Sequence, residues 1–192
     1  MQSKQRAALL IAVLCLTPAC DSGSFEIQPV LVQDTVLVAA PLPQNAALPT
    51  ALDITGSGFS GVRGGRFPER SRDAEQWDFA VRIQGGELVL VPASVIGLFQ
   101  STAALTAPIE GETFESLRET PGRSSFRSDT TIAMRVGEVY AARSRENIAG
   151  INTACAQHAK FEPLEVDVST GMLRIQIVTN QRCGDARLVP LE

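Results

Sequence analysis

The stretch WDFAVRIQGGELVLVP, residues 77–92, restricts the fold of this chain more than any other. Trp77, Phe79, Val81 and Ile83 alternate with Asp78, Ala80 and Arg82, a period of two that belongs to a strand and not to a helix. Gly85-Gly86 supplies the positive φ angles that a two-residue hairpin turn requires. With that turn Ile83 lies opposite Leu88 and Val81 opposite Leu90, so both apolar sets reach one face, as a correct register demands. Val89 and Val91 make the other face partly apolar too, which places this hairpin in the middle of a sheet.

Two further hairpins follow from the same test. In TTIAMRVGEVYAARSR, residues 130–145, a turn at Gly137-Glu138 sets Val136 against Val139 and Met134 against Ala141. In FEPLEVDVSTGMLRIQIVTN, residues 161–180, Leu164, Val166 and Val168 share a face with Leu173, Ile175 and Ile177 if Val168 opposes Leu173 and Ser169–Met172 form the loop. Asp34–Ala40 and Ala51–Thr55 read as strands around the connection PLPQNAALPT, and Glu112–Glu119 as one or two helical turns through Phe114 and Leu117. Turn residues recur every ten or so positions and no long amphipathic helix pattern appears. The expected fold is all-β: a single antiparallel β-sandwich or open barrel over residues 25–192, with at most one short helix.

The first nineteen residues are different in kind. Lys4 and Arg6 precede an apolar run from Ala7 to Leu16, and Thr17, Pro18 and Ala19 form a small-residue exit, the three-part layout of a secretory signal. A bilayer span takes roughly 20 apolar residues, so the run is too short for a permanent helical anchor. Residues 1–19 are therefore read as a signal peptide and 20–24 as a short linker starting at Cys20. Leu16-Thr17-Pro18-Ala19-Cys20 resembles the lipobox of bacterial lipoproteins. The resemblance implies that Cys20 is diacylated and becomes the mature N-terminus, tethering the protein to a membrane of the bacterial cell envelope. Cleavage after Ala19 by a type I signal peptidase, with Thr17 and Ala19 as the small pair, is the alternative.

The chain has 17 basic and 21 acidic residues; two basic residues and no acidic one leave with the signal, so the formal charge moves from −4 to about −6. A nucleic-acid partner is not expected from such a balance. The cysteine count changes in the same step, because Cys15 leaves, Cys20 takes lipid, and Cys155 and Cys183 remain. In an oxidising compartment an even pair reads first as a disulfide. The alternatives are zinc on Cys155, His158, Cys183 and Asp185, whose donor types suit that metal, or two free thiols. An uninterrupted strand would point Cys155 and Cys183 to opposite faces. A bulge at Pro163, which has no N–H for the ladder, restores the parity.

Catalytic motifs are scarce. The sequence has one histidine, His158, and no G-x-S-x-G, H-E-x-x-H or P-loop pattern. Strand alternation puts His158 and Lys160 on a polar face, opposite Ala159 and Phe161. The glycine-rich stretch GSGFSGVRGGRFPERSR, residues 56–72, carries Arg63, Arg66, Arg70 and Arg72, and is read as a solvated loop tied to nearby acids or as an anion or partner loop. QWDFAVRI, residues 76–83, resembles the WD-aliphatic-aromatic-R strand of HmuY-type haem-binding lipoproteins. That resemblance implies a small, lipidated β-rich protein; a haem ligand set here would need His158 with Met134 or Met172. No cofactor or metal is expected. The leading expectation is a non-catalytic, membrane-tethered envelope lipoprotein, attached through lipid on Cys20, that acts as a binding or structural module toward other envelope proteins or a small ligand. A carrier for a small anionic or haem-like ligand is second and an envelope hydrolase third.

Overall fold

A computed structural model describes residues 27–55, 64–98, 100–148 and 154–190. The signal, Cys20 and Arg63 lie outside the described residues. Two five-stranded antiparallel sheets face each other. The first runs β1 (Leu31–Ala39), β12 (Met172–Asn180), β11 (His158–Asp167), β8 (Tyr140–Arg143) and β6 (Ala104–Leu105). The second runs β3 (Gly64–Arg66), β2 (Ala51–Asp53), β4 (Phe79–Gln84), β5 (Glu87–Pro92) and β7 (Ile132–Ala133). A ribbon of β9 (Asn147–Ile148) and β10 (Ala154–Cys155) stands beside them. Among the described residues, helix is limited to three 3₁₀ turns at Pro43–Asn45, Ala93–Ile96 and Arg123–Ser125. The expected all-β sandwich is the observed one.

The inner faces meet in one core. Val38, Leu173, Ile175, Phe161 and Tyr140 from the first sheet pack with Leu52, Phe79, Val81, Leu88 and Leu90 from the second. Each such fully buried side chain stabilises the fold by roughly 1.5–3 kcal/mol relative to exposure. Tyr140 and Phe161 stack with ring centroids 5.2 Å apart. At one lateral edge β1 meets β3 so closely that a Cβ on Gly64, whose φ is +96°, would lie 2.4 Å from a Val36 methyl carbon.

The first hairpin forms as the sequence requires. Ile83 pairs with Leu88 and Val81 with Leu90, Gly85 and Gly86 have φ of 60° and 82°, and β2 and β7 flank the hairpin on both sides. Trp77 departs from the expected alternation: the strand begins only at Phe79, and Trp77 lies with Ala51, Ala80 and Ala93 on the outer face. The cause is Asp78, whose side chain turns inward to accept the Ile54 N–H and the Arg145 N–H, each at 2.8 Å.

The expected hairpin over 130–145 does not form. Ile132–Ala133 joins β5 in the second sheet, whereas Tyr140–Arg143 joins β6 and β11 in the first. Turn chemistry survives at Gly137 (φ 79°), but the Tyr140 hydroxyl replaces the missing ladder. Its oxygen accepts the Arg135 N–H at 3.2 Å, and its proton points toward the Ala133 carbonyl and a Glu138 carboxylate oxygen, both at 3.0 Å. Met134 enters the central core while Ala141 faces outward, so they share no face.

The hairpin over 161–180 forms two residues out of the expected register, with Val166 opposite Leu173. Asp167 ends β11 by accepting the N–H groups of Ser169 and Thr170 at 2.9 and 3.2 Å, which makes Val168–Gly171 the loop. Val168 and Leu164 are consequently exposed. The register shifts between Pro163 and Glu165, so the bulge lies where proline was expected to place it.

Outside the first sheet, residues 106–120 and 181–188 form a partial third layer. Phe114, Leu117, Val139, Val178 and Leu188 pack there, and the backbones of Glu119 and Arg187 pair in an isolated antiparallel β-bridge. The expected helical turns reduce to one, closed by the Leu117 N–H on the Thr113 carbonyl at 3.1 Å.

Four charged residues join the sheets at one end. Arg66 donates to the Asp53 carboxylate from Nε (3.0 Å) and Nη2 (2.7 Å). Arg145 Nη1 bridges Asp53 (3.2 Å) and Asp78 (3.0 Å), and Thr55 Oγ1 donates to Asp53 at 2.6 Å. Asp53, Asp78 and Arg66 are all buried. Burial pushes the Asp78 carboxyl up to about 6, an effect that Arg145 partly offsets and the Asp53 charge reinforces.

Candidate functional site

The outer face of the first sheet opens into a cleft at its His158 end. The ladder sets His158 directly opposite Arg143 of β8, and the alternation that buries Ala142 and Ala159 in the core turns both of these side chains outward. One wall is the segment from Pro121 to Phe126, which carries Arg123. The other is formed by Cys155 and Ala156 together with the turn at Gly184. The cleft has a volume of about 350 Å³.

Two links hold the second wall. The Gly184 N–H donates to the Ala156 carbonyl at 2.9 Å, and Cys155 and Cys183 are at disulfide distance with Cα atoms 5.7 Å apart. The pairing read from the cysteine count is therefore the geometry found. Asn180, fully buried, braces the turn from below by donating from its amide to the carbonyls of Asp185 (3.3 Å) and Arg187 (2.9 Å).

The charges in the cleft are unbalanced. Neither Arg123 nor Arg143 has an ion pair among the described residues. Asp185, whose charge acts on His158, is already forked by Arg187 through Nε at 2.9 Å and Nη2 at 2.7 Å, which holds its carboxyl down at about 2. Burial and the neighbouring Arg123 lower the Arg143 pKa, with the exposed Glu146 on the rim acting against them. Burial and Arg143 likewise lower the His158 pKa.

His158 itself is well fixed. Its Nδ1 lies 2.8 Å from Thr120 Oγ1, and its ring meets Phe126 edge to face with centroids 6.2 Å apart. A hydroxyl both donates and accepts, so Thr120 satisfies Nδ1 in either protonation state, and Nε2 is left without a protein partner among the described residues. Lys160 shares the expected polar face but is covered: its Nζ donates to the Leu117 carbonyl at 2.9 Å and lies 5.0 Å from the centre of the Phe114 ring.

The other sequence candidates do not converge. Arg66 is buried against Asp53, Arg70 lies over the Phe67 ring at 3.5 Å, and Arg72 is exposed beside Asp73 at 3.9 Å, so each of these three described arginines has its own neighbour. The zinc set is not assembled, since Cys155 faces Cys183, Asp185 faces Arg187 and Nδ1 of His158 faces Thr120. A second haem ligand is not brought to His158 either: Met134 is in the core and Met172 begins β12 at the far end of its pairing with β11. Arg143, Arg123, Thr120 and Phe126 were not legible as a group. The one local signal was the run Tyr140-Ala-Ala-Arg143, where small neighbours leave room beside an arginine on a strand.

The chain matches no protein-family model, no curated protein and no solved structure.

Proposed function

We propose that this protein is an exported, lipid-anchored, non-catalytic binding module of the bacterial envelope, and that the His158 cleft is its binding site. One observation carries the reading: a concave surface held by the Cys155–Cys183 pair brings Arg123, Arg143 and His158 together with one lining acid, Glu146, which is exposed and makes no ion pair with either arginine among the described residues. Unmatched charge at a partly buried concavity costs stability, and it marks candidate sites. The absence of catalysis is argued from basicity. A histidine base or triad is oriented by a carboxylate hydrogen-bonded to its ring, whereas His158 is oriented by a threonine, and burial and Arg143 disfavour its cation against the opposing effect of Asp185.

Export and anchoring rest on residues 1–20. Each buried methylene contributes about 0.8 kcal/mol and stable attachment takes two chains, which diacylated Cys20 supplies. Mass spectrometry of the protein extracted from membranes tests this directly. The expected mature chain begins at Cys20 and carries the mass of a diacylglyceryl group; an unmodified residue 20 refutes the anchor. Native mass spectrometry of the same preparation tests the binding site, with a retained small molecule that is lost in Arg143→Gln as the expected result.

A further inference from the structure

We infer that the cleft is an oxyanion site, which takes the carboxylate or phosphate group of a small molecule between the guanidinium groups of Arg143 and Arg123 and the Nε2 edge of His158. This rests on the binding reading above and narrows it to a ligand class. Three features select that class. Guanidinium forks match the planar or tetrahedral oxygens of carboxylate and phosphate better than any other common group. The two arginines come from separate elements, β8 and the 3₁₀ turn Arg123–Ser125, so they face the cleft from two sides. Phe126, lying 5.9 Å below the Arg143 guanidinium carbon and edge-on to His158, gives the cations an apolar floor.

The histidine then reports the ligand. In the free protein, burial and Arg143 disfavour the imidazolium, Asp185 favours it, and Thr120 accepts either state. An oxyanion at Nε2 adds a negative charge in direct contact with the ring. The ring takes up a proton, donating from Nδ1 to Thr120 Oγ1 and from Nε2 to the anion. Binding is therefore tighter on the acid side of the His158 pKa, and it raises that pKa.

The chain contains a single histidine, so its ring resonances are unambiguous. The disulfide-intact mature chain is titrated by NMR with inorganic phosphate, citrate and benzoate across pH 5–8. The expected result is a saturable shift of the His158 ring signals with at least one probe and an upward move of its pKa. In Arg143→Gln the midpoint weakens at least tenfold, and in Arg123→Gln by a smaller factor. Arg72→Gln, in the separate loop, leaves both readouts unchanged. Thermal melts establish that each variant is folded. No saturable shift with any probe, or equal affinity in Arg143→Gln, overturns the oxyanion assignment. The binding reading fails separately: a neutral molecule retained in native mass spectra and lost in Arg143→Gln keeps the site and discards the oxyanion, whereas no retained molecule and no shift discard both.

Discussion

Arg143 ends β8 and Arg145 lies two residues beyond it, and their surroundings are opposite. Arg145 reaches inward to Asp53 and Asp78, which with Arg66 make a network of two cations and two anions. Arg143 faces outward toward His158 and Arg123, where Glu146 is exposed and Asp185 is held by Arg187. The contrast separates two uses of charge. A matched cluster in the interior fixes how the sheets meet, because removing any member strands its partner in low dielectric. A mismatched cluster at the surface keeps an electrostatic deficit that a ligand relieves.

The strongest way to break that contrast is Asp53→Ala. It removes the buried carboxylate that Arg66 forks and one of the two acids on Arg145, so the expected loss is about 3–5 kcal/mol, read by urea denaturation through the single tryptophan, Trp77. A loss below about 1 kcal/mol, the range of exposed ion pairs, would mean that the network is not structural. On the cleft side, the double variant Cys155→Ser/Cys183→Ser opens a loop of sequence separation 28. It is expected to cost about 3.5 kcal/mol on the chain-entropy model, and to abolish probe binding at temperatures where the chain is still folded.

Acid titration sharpens the comparison further. The Asp78 carboxyl is raised from 3.8 to about 6, so the folded chain holds this proton more tightly than the unfolded one. Its contribution to stability is complete below about pH 4 and is lost as the pH rises through about 6. Asp185, held down at about 2, acts in the opposite sense, with stability present above about pH 4 and lost as the pH falls toward 2. The stability of the wild type relative to Asp78→Asn is therefore expected to fall between pH 4 and 6 and to be flat above 7. A flat difference throughout removes the assigned role of burial. The smallest expected effect is that of Arg123→Ala, within about 0.5 kcal/mol of the wild type or slightly more stable, since the variant removes a repulsion toward Arg143. A loss above 1 kcal/mol would place Arg123 among the structural charges.

Short-range chemistry explains which expectations held. Gly85-Gly86 allows one turn and one register, and Pro163 cannot donate to the ladder, so both features act within a few residues of where they stand in the sequence. The misplaced hairpins failed because polar side chains outweighed apolar alternation. Tyr140 captures the backbone groups of Ala133 and Arg135, and Asp167 stops its strand one residue before Val168. The charge clusters were hidden for another reason. Arg145 meets Asp78 and Asp53 across 67 and 92 residues, and Thr120 meets His158 across 38. No local pattern announces a pairing made only when distant strands become neighbours. Of the candidate site, the cysteine pair and His158 were visible as individual residues, and the arginines that give them a function were not.

The pairing of β1 with β12 bears on how such a chain is made. Val30 donates to the side chain of Asn180, 150 residues away, and β1 finds its sheet partner only in Met172–Asn180. At ordinary synthesis speeds of about 5–20 residues per second, that partner emerges roughly 7–30 s later. Non-local strand pairing is also slow in its own right. The first sheet therefore acquires its outermost strand only when nearly all of the described chain is available, so closure of the sandwich at that edge is a late event and not one the N-terminal strand can nucleate alone.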